Sequence, residues 1–173
     1  MTTKLDMLTK LKKQKCLDNS DLLEDKKKMA SIWFASLRDE ICKCFEEIEN
    51  SQLNKNTNIK FVQKKWERDG GGGGVISIMK GNVFEKVGVN ISTVYGKFSK
   101  EFREQIPGAE ENGTFWASGI SVVSHMSNPY IPAAHMNTRL LVTGEGDKKK
   151  IWFGGWELIE GLAAEQLIYR NLL

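Results

Sequence analysis

Ser121 and His125 stand four residues apart on one short segment, and His135, Asn137 and Arg139 stand at two-residue intervals on the next. The kinked stretch Asn128-Pro129-Tyr130-Ile131-Pro132 separates them. On a strand, positions i, i+2 and i+4 face the same way. His135, Asn137 and Arg139 therefore share one face, as do Ser121 and His125. Side by side, two such strands present a basic, hydrogen-bonding surface suited to an anionic, nitrogen-rich ligand. Arginine grips a carboxylate with two parallel bonds. Imidazole changes charge near neutrality, which suits proton transfer. Plainer roles fit the same residues. Either histidine can be a satisfied structural side chain. Arg139, beside Leu140, Leu141 and Val142, needs an anion that a protein carboxylate supplies as well as a ligand does.

His125 and His135 are the two histidines of the chain. They could hold a metal together, but two neutral ligands without a carboxylate or thiolate make a poor site. Gly70 to Gly74 are five consecutive glycines. No Gly-Lys-Ser/Thr follows them and no G-x-G-x-x-G opens a helix, so the phosphate-loop and dinucleotide patterns both fail. The run reads either as a flexible or closely packed turn, or as backbone that approaches a bulky flat ligand.

The elements that must position these residues follow from periodicity. Trp33, Leu37, Ile41, Cys44, Phe45 and Ile48 form a helical stripe, which predicts a helix over 31–49 with its Arg, Lys and Glu residues, Glu49 included, mostly on the other side. Asn50 to Asn58 is a polar turn cluster. Strands are expected at 60–66, at 75–79 and 83–87 as a hairpin around Lys80-Gly81-Asn82, at 88–95, 118–124, 134–143 and 150–153. Residues 99–105 read as one or two helical turns, and Glu157 to Leu173 as a short helix. Short connections favour an antiparallel sheet. The expected class is α+β, an antiparallel sheet flanked by helices.

Composition bounds the partners. The chain has 173 residues and a net charge of +3. Residues 1–30 hold eight Lys against five acidic residues, and residues 31–173 hold 17 of each sign. The body is neutral and lacks the basic footprint of a nucleic-acid binder. Residues 1–28 read as a solvated arm or loose helix, the first 30 residues as a charged extension, and Met29 as the start of the ordered protein. Three cysteines, Cys16, Cys42 and Cys44, give no disulfide framework. No run approaches the ~18 apolar residues of a membrane span, and no apolar leader opens the chain. A cytoplasmic location is the expectation.

Longer stretches carry a resemblance. They are Trp66-Glu67-Arg68, then Val83-Phe84-Glu85-Lys86-Val87-Gly88-Val89-Asn90-Ile91-Ser92, then Gly119-Ile120-Ser121-Val122-Val123-Ser124-His125. Asn128-Pro129-Tyr130-Ile131-Pro132, His135-Met136-Asn137-Thr138-Arg139 and Trp152-Phe153-Gly154-Gly155 follow. In order and spacing, over about residues 31–155, this text resembles the oxygen-dependent coproporphyrinogen III oxidases. The resemblance implies oxidative removal of carbon dioxide from two propionates of coproporphyrinogen III, giving the vinyl groups of protoporphyrinogen IX, with molecular oxygen as co-substrate, in haem biosynthesis. It implies a homodimer built on a large antiparallel sheet, no organic cofactor, and a disputed divalent metal. Carried over by motif, Ser121, Asn137 and Arg139 are the expected substrate contacts, His135 the proton donor, and His125 and His135 metal ligands.

The chain departs from the family after Gly155. The family reads Gly-Gly-Gly-x-Asp-Leu-Thr-Pro, and its Asp is the expected partner of the pyrrole N–H groups. Here the text is Gly154-Gly155-Trp156-Glu157-Leu158. A one-residue gap would offer Glu157 as a replacement carboxylate, displaced by about 1 Å, a shift that can cost roughly a hundredfold in rate. Residues 156–173 read as a divergent tail on about half of the family's sheet. The expectation is a truncated member that turns over poorly alone. The alternative is a non-catalytic tetrapyrrole-binding or interaction module.

Overall fold

The computed structural model describes residues 19–51, 58–106, 108–146 and 149–160, with side chains from Leu22 to Gly155 within those ranges. Helix α1 (Asn19–Ser51) leads into six strands: β1 (Val62–Glu67), β2 (Gly72–Met79), β3 (Phe84–Lys97), β4 (Thr114–Met126), β5 (Ala133–Thr143) and β6 (Lys150–Glu160). A four-residue helix, α2 (Lys100–Arg103), lies between β3 and β4. The strands form one sheet in chain order, antiparallel at every step. The α+β class read from the sequence is the fold observed.

Helix α1 packs across β3 and β4. Phe34 and Cys42 from the helix meet Met79, Phe84, Val87, Val89, Ile120 and Val122 from the sheet in one core. The helix begins 12 residues before the expected start, and Leu23, inside the supposed charged extension, is buried. Leu37, Ile41 and Phe45 of the expected stripe pack against that core, but the fully buried positions are turned from the rest of it. Phe34, Cys42 and Glu49 face the sheet, while Trp33 and Ile48 are 41% and 48% exposed.

The reason for the turn is Glu49. This fully buried carboxylate accepts backbone N–H groups of Asn82 at 2.6 Å, Val83 at 3.1 Å and Phe84 at 3.1 Å, all in the β2–β3 turn. Gly81 has no side chain because a Cβ there would strike that carboxylate. Glu46 and Asn50 act alike on the segment entering β1. Glu46 accepts from Phe61 N at 2.9 Å, and Asn50 exchanges two bonds with the Ile59 backbone at 2.8 and 2.9 Å. A polar helix end thus fixes two chain segments against the sheet.

Three more expectations change. The strands expected at 83–87 and 88–95 are one strand, β3, irregular between Phe84 and Lys86. Gly72 to Gly74 are inside β2, so the glycine run is mostly strand. Residues 157–160, expected as helix, continue β6 by pairing with β5, which outweighs a local apolar pattern that suits either state. The remainder of that tail, and most of the 50–58 turn cluster, lie outside the described residues.

Glu49→Ala leaves three backbone donors without their acceptor. The expected loss is about 3–5 kcal/mol, the usual cost of removing one partner from a buried charged cluster, and Glu49→Gln should lose less. Urea unfolding midpoints check this. Burial pushes the Cys42 thiol from 9.0 up to about 11, while Cys44 is exposed. The unfolded thiol ionises first, so this contribution to stability is whole below about pH 9 and fades as pH rises toward 11. At pH 8, iodoacetamide should modify Cys44 and spare Cys42 in the native chain; peptide mapping that finds both modified alike would contradict the burial.

Candidate functional site

Helix α1 covers one side of the sheet, and the residues of opposite parity line the other. Register turns them into rows that cross the strands. One row runs Ile76, Asn90, Ser121, Asn137 across β2 to β5, each directly opposite the next. The neighbouring row runs Trp66, Gly74, Ser92, Gly119, Arg139, Gly154 across all six strands. Between them lies an open trough of about 240 Å³, lined by Trp66, Ile76, Asn90, Ser121, Asn137 and Arg139.

Small residues make the floor of the trough. Trp66 lies over Gly74, where a Cβ would sit 2.9 Å from the indole ring. Arg139 is exposed and flanked in register by Gly119 and Gly154. Among the described residues it has no carboxylate partner. No Asp or Glu takes an open-side register position on β1 to β5, whereas Lys64, Lys86 and Arg139 do. Exposed Glu85 lies beside Lys86 at the irregularity of β3, and Glu160 on β6 stands opposite Ala133. Beyond the trough, Phe98 stacks on Phe115 at 4.2 Å and Arg68 lies 5.5 Å over the Phe115 ring.

The structure brings the sequence-predicted residues together. Ser121 is directly opposite Asn137. His135 is opposite Val123, so His125, two residues further along β4, meets it diagonally. Their Nε2 atoms are 3.4 Å apart and the rings tilt by 58°. Which nitrogen donates depends on the ring tautomers. Two imidazoles supply two of the four ligands of a tetrahedral zinc. No third His, Cys, Asp or Glu joins them among the described residues, so the pair alone is not a metal centre. Glu157 takes the register position opposite Met136, whereas Trp156 is the residue opposite Asn137. The Glu157 side chain lies outside the described residues.

Asn90, Ser92 and Trp66 are trough residues that the sequence reading passed over. The signal was present, since period two puts Asn90 and Ser92 on the same side as Gly88. It went unused because Gly88 to Tyr95 read as plain strand.

Fold and face together define an α+β protein whose antiparallel sheet is shielded on one side and offers a cationic trough on the other. The chain belongs to the coproporphyrinogen III oxidase family, whose model matches residues 29–159. It is similar to the oxygen-dependent coproporphyrinogen-III oxidases of Rickettsia felis and Rickettsia africae, each 56% identical over 133 residues, or 76% of this chain and 46% of the relative. The enzyme of that name from Rickettsia bellii is 56% identical over 132 residues, or 75% and 45%. The chain spans about half the length of the curated relatives it matches. Among the described residues, no helix is long and apolar enough to cross a membrane.

The glycine floor gives a paired prediction. A Cβ on Gly119 would lie 2.5 Å from the Thr138 carbonyl, and one on Gly154 would meet nothing within 4 Å. Gly119→Ala should destabilise by about 1–3 kcal/mol, as overpacking does. Gly154→Ala should be neutral or slightly stabilising. Thermal unfolding of the two variants checks the difference.

Proposed function

We propose that the open side of the sheet binds coproporphyrinogen III and serves its oxygen-dependent oxidative decarboxylation toward protoporphyrinogen IX. The observation that carries this reading is the exposed Arg139, without a carboxylate partner among the described residues, between two glycines and one row from Ser121 and Asn137. A tetrapyrrole with four propionates presents flat rings, carboxylates and pyrrole N–H groups. Arg139 grips a propionate, and Asn137 and Ser121 hydrogen-bond a carboxylate or a pyrrole edge. His135, with Nε2 at 3.4 Å from that of His125, delivers or removes a proton beside the ring. Each propionate that becomes a vinyl group loses carbon dioxide and, from the carbon next to the pyrrole, a proton and two electrons. Dioxygen is the acceptor of those electrons. No organic group is needed to carry them in this reading. His125 and His135 would contribute two ligands to any divalent metal. The protein would act as a homodimer, as the family resemblance implies.

Binding without turnover is the second reading. It is favoured by the absence of an acidic open-side position on β1 to β5, since a carboxylate against the pyrrole N–H groups is what draws off their protons.

One experiment separates the readings. Coproporphyrin III is titrated without oxygen, and coproporphyrinogen III is then supplied in air with protoporphyrin fluorescence as readout. Arg139→Ala should weaken binding by about 10- to 150-fold, the equivalent of a charged hydrogen bond of about 1.5–3 kcal/mol. Oxygen-dependent product that His135→Ala abolishes supports the oxidase. Tight binding without product supports the binder, and no binding removes both.

A further inference from the structure

We propose that Asn90 is a further ligand-contacting residue of the trough, and that it takes a carboxylate of the ligand rather than a pyrrole N–H. The inference rests on the tetrapyrrole reading above. Asn90 is half-buried, lines the trough, and stands directly opposite Ser121, which stands directly opposite Asn137. The three side chains form a polar row across three neighbouring strands, spanning about 10 Å at the usual strand spacing.

The orientation of the Asn90 amide is fixed by chemistry. Its Oδ1 accepts the backbone N–H of Ser77 at 3.3 Å. A backbone N–H can only donate, so the atom facing it must be the oxygen, which settles an amide that could otherwise be flipped. Nδ2 is then directed away from that bond, with two N–H groups to give. Among the described residues none accepts from it. Gly88 stands beside it, where a Cβ would rest 3.6 Å from Nδ2.

A donor with its acceptor atom already occupied discriminates between ligand groups. The pyrrole nitrogens of a porphyrinogen carry hydrogens and donate in the ring plane, so Nδ2 has nothing to pair with there. Propionate carboxylates accept. Ser121 and Asn137 each offer a donor and an acceptor and can serve either group. Asn90 thereby adds a carboxylate contact toward β3, on the side of the row away from β5, which carries Arg139. It widens the anion-holding region from two strands to three.

The discriminating variant is Asn90→Asp. It keeps an oxygen for the Ser77 N–H and keeps the size of the side chain, but replaces the donor with a negative charge. Two probes are titrated without oxygen: coproporphyrin III, a tetracarboxylate, and its tetra-amide, which has the same ring and neutral arms. The expected result is a loss of more than tenfold in affinity for the tetracarboxylate and less than threefold for the tetra-amide. Misfolding would weaken both alike, so the ratio of the two affinities is the readout, and a circular dichroism spectrum matching the wild type accompanies it. Asn90→Ala, which loses the donor without adding charge, should fall between wild type and Asn90→Asp for the tetracarboxylate. An unchanged ratio in Asn90→Asp, with Arg139→Ala still weakening the tetracarboxylate, overturns the role of Asn90 and leaves the tetrapyrrole reading standing. Failure of the wild-type chain to bind either probe overturns both.

Discussion

A strand can show each side chain to only one side of its sheet, and six antiparallel strands in continuous register turn that restriction into rows. Everything else in this protein depends on those rows. One parity meets helix α1 and carries Met79, Val87, Val89, Ile120 and Val122. The other carries Asn90, Ser121, Asn137 and Arg139. A slip of one residue between β4 and β5 would send the trough residues under the helix and the core residues into water. Core and site are therefore specified by the same register, and the apolar side holds the polar side in place.

The end of helix α1 protects that register with hydrogen bonds. Glu49 binds the turn before β3, the strand of Asn90, and Glu46 and Asn50 bind the segment before β1, the strand of Trp66. None of the three side chains touches the trough. Each anchors backbone whose strand supplies a trough residue. Burying Glu49 is tolerable because its oxygens receive three backbone N–H groups that a turn would otherwise leave without partners. Further along the helix a lighter polar contact completes the packing: Ser31 Oγ receives from Thr93 Oγ1 at 3.3 Å, and Thr93 pairs with Ser118 at 2.9 Å.

Glycine gives the open side its shape. Alternation alone would make it as rough as any sheet face. Gly74 and Gly119, with Ser92 between them, lower one row, so that Trp66 and Arg139 rise at separate points of a flat floor. Charge follows the same plan. With lysines and an arginine unopposed on β1 to β5, the floor stays anion-seeking over its width, and long-range attraction and short-range hydrogen bonding act together on a carboxylated ligand.

The sequence by itself determined the antiparallel α+β class, the strand positions apart from the undivided β3 and the length of β6, and the shared face of His135, Asn137 and Arg139. Those features follow from local periodicity, which is written in neighbouring residues. Family membership was legible in the same way, through contiguous motifs. Tertiary structure alone decided the phase of the helix, because a glutamate that bonds to a turn 33 residues away scores as surface in any local pattern. It decided the strand state of residues 157–160, since pairing with β5 lies outside the segment itself. It made Asn90 part of the trough, because a residue inside an ordinary strand becomes a trough residue only once its neighbours across the sheet are known. It also decided that Arg139 meets no carboxylate among the described residues, because an ion pair is a meeting of distant residues and shows only when the chain is folded.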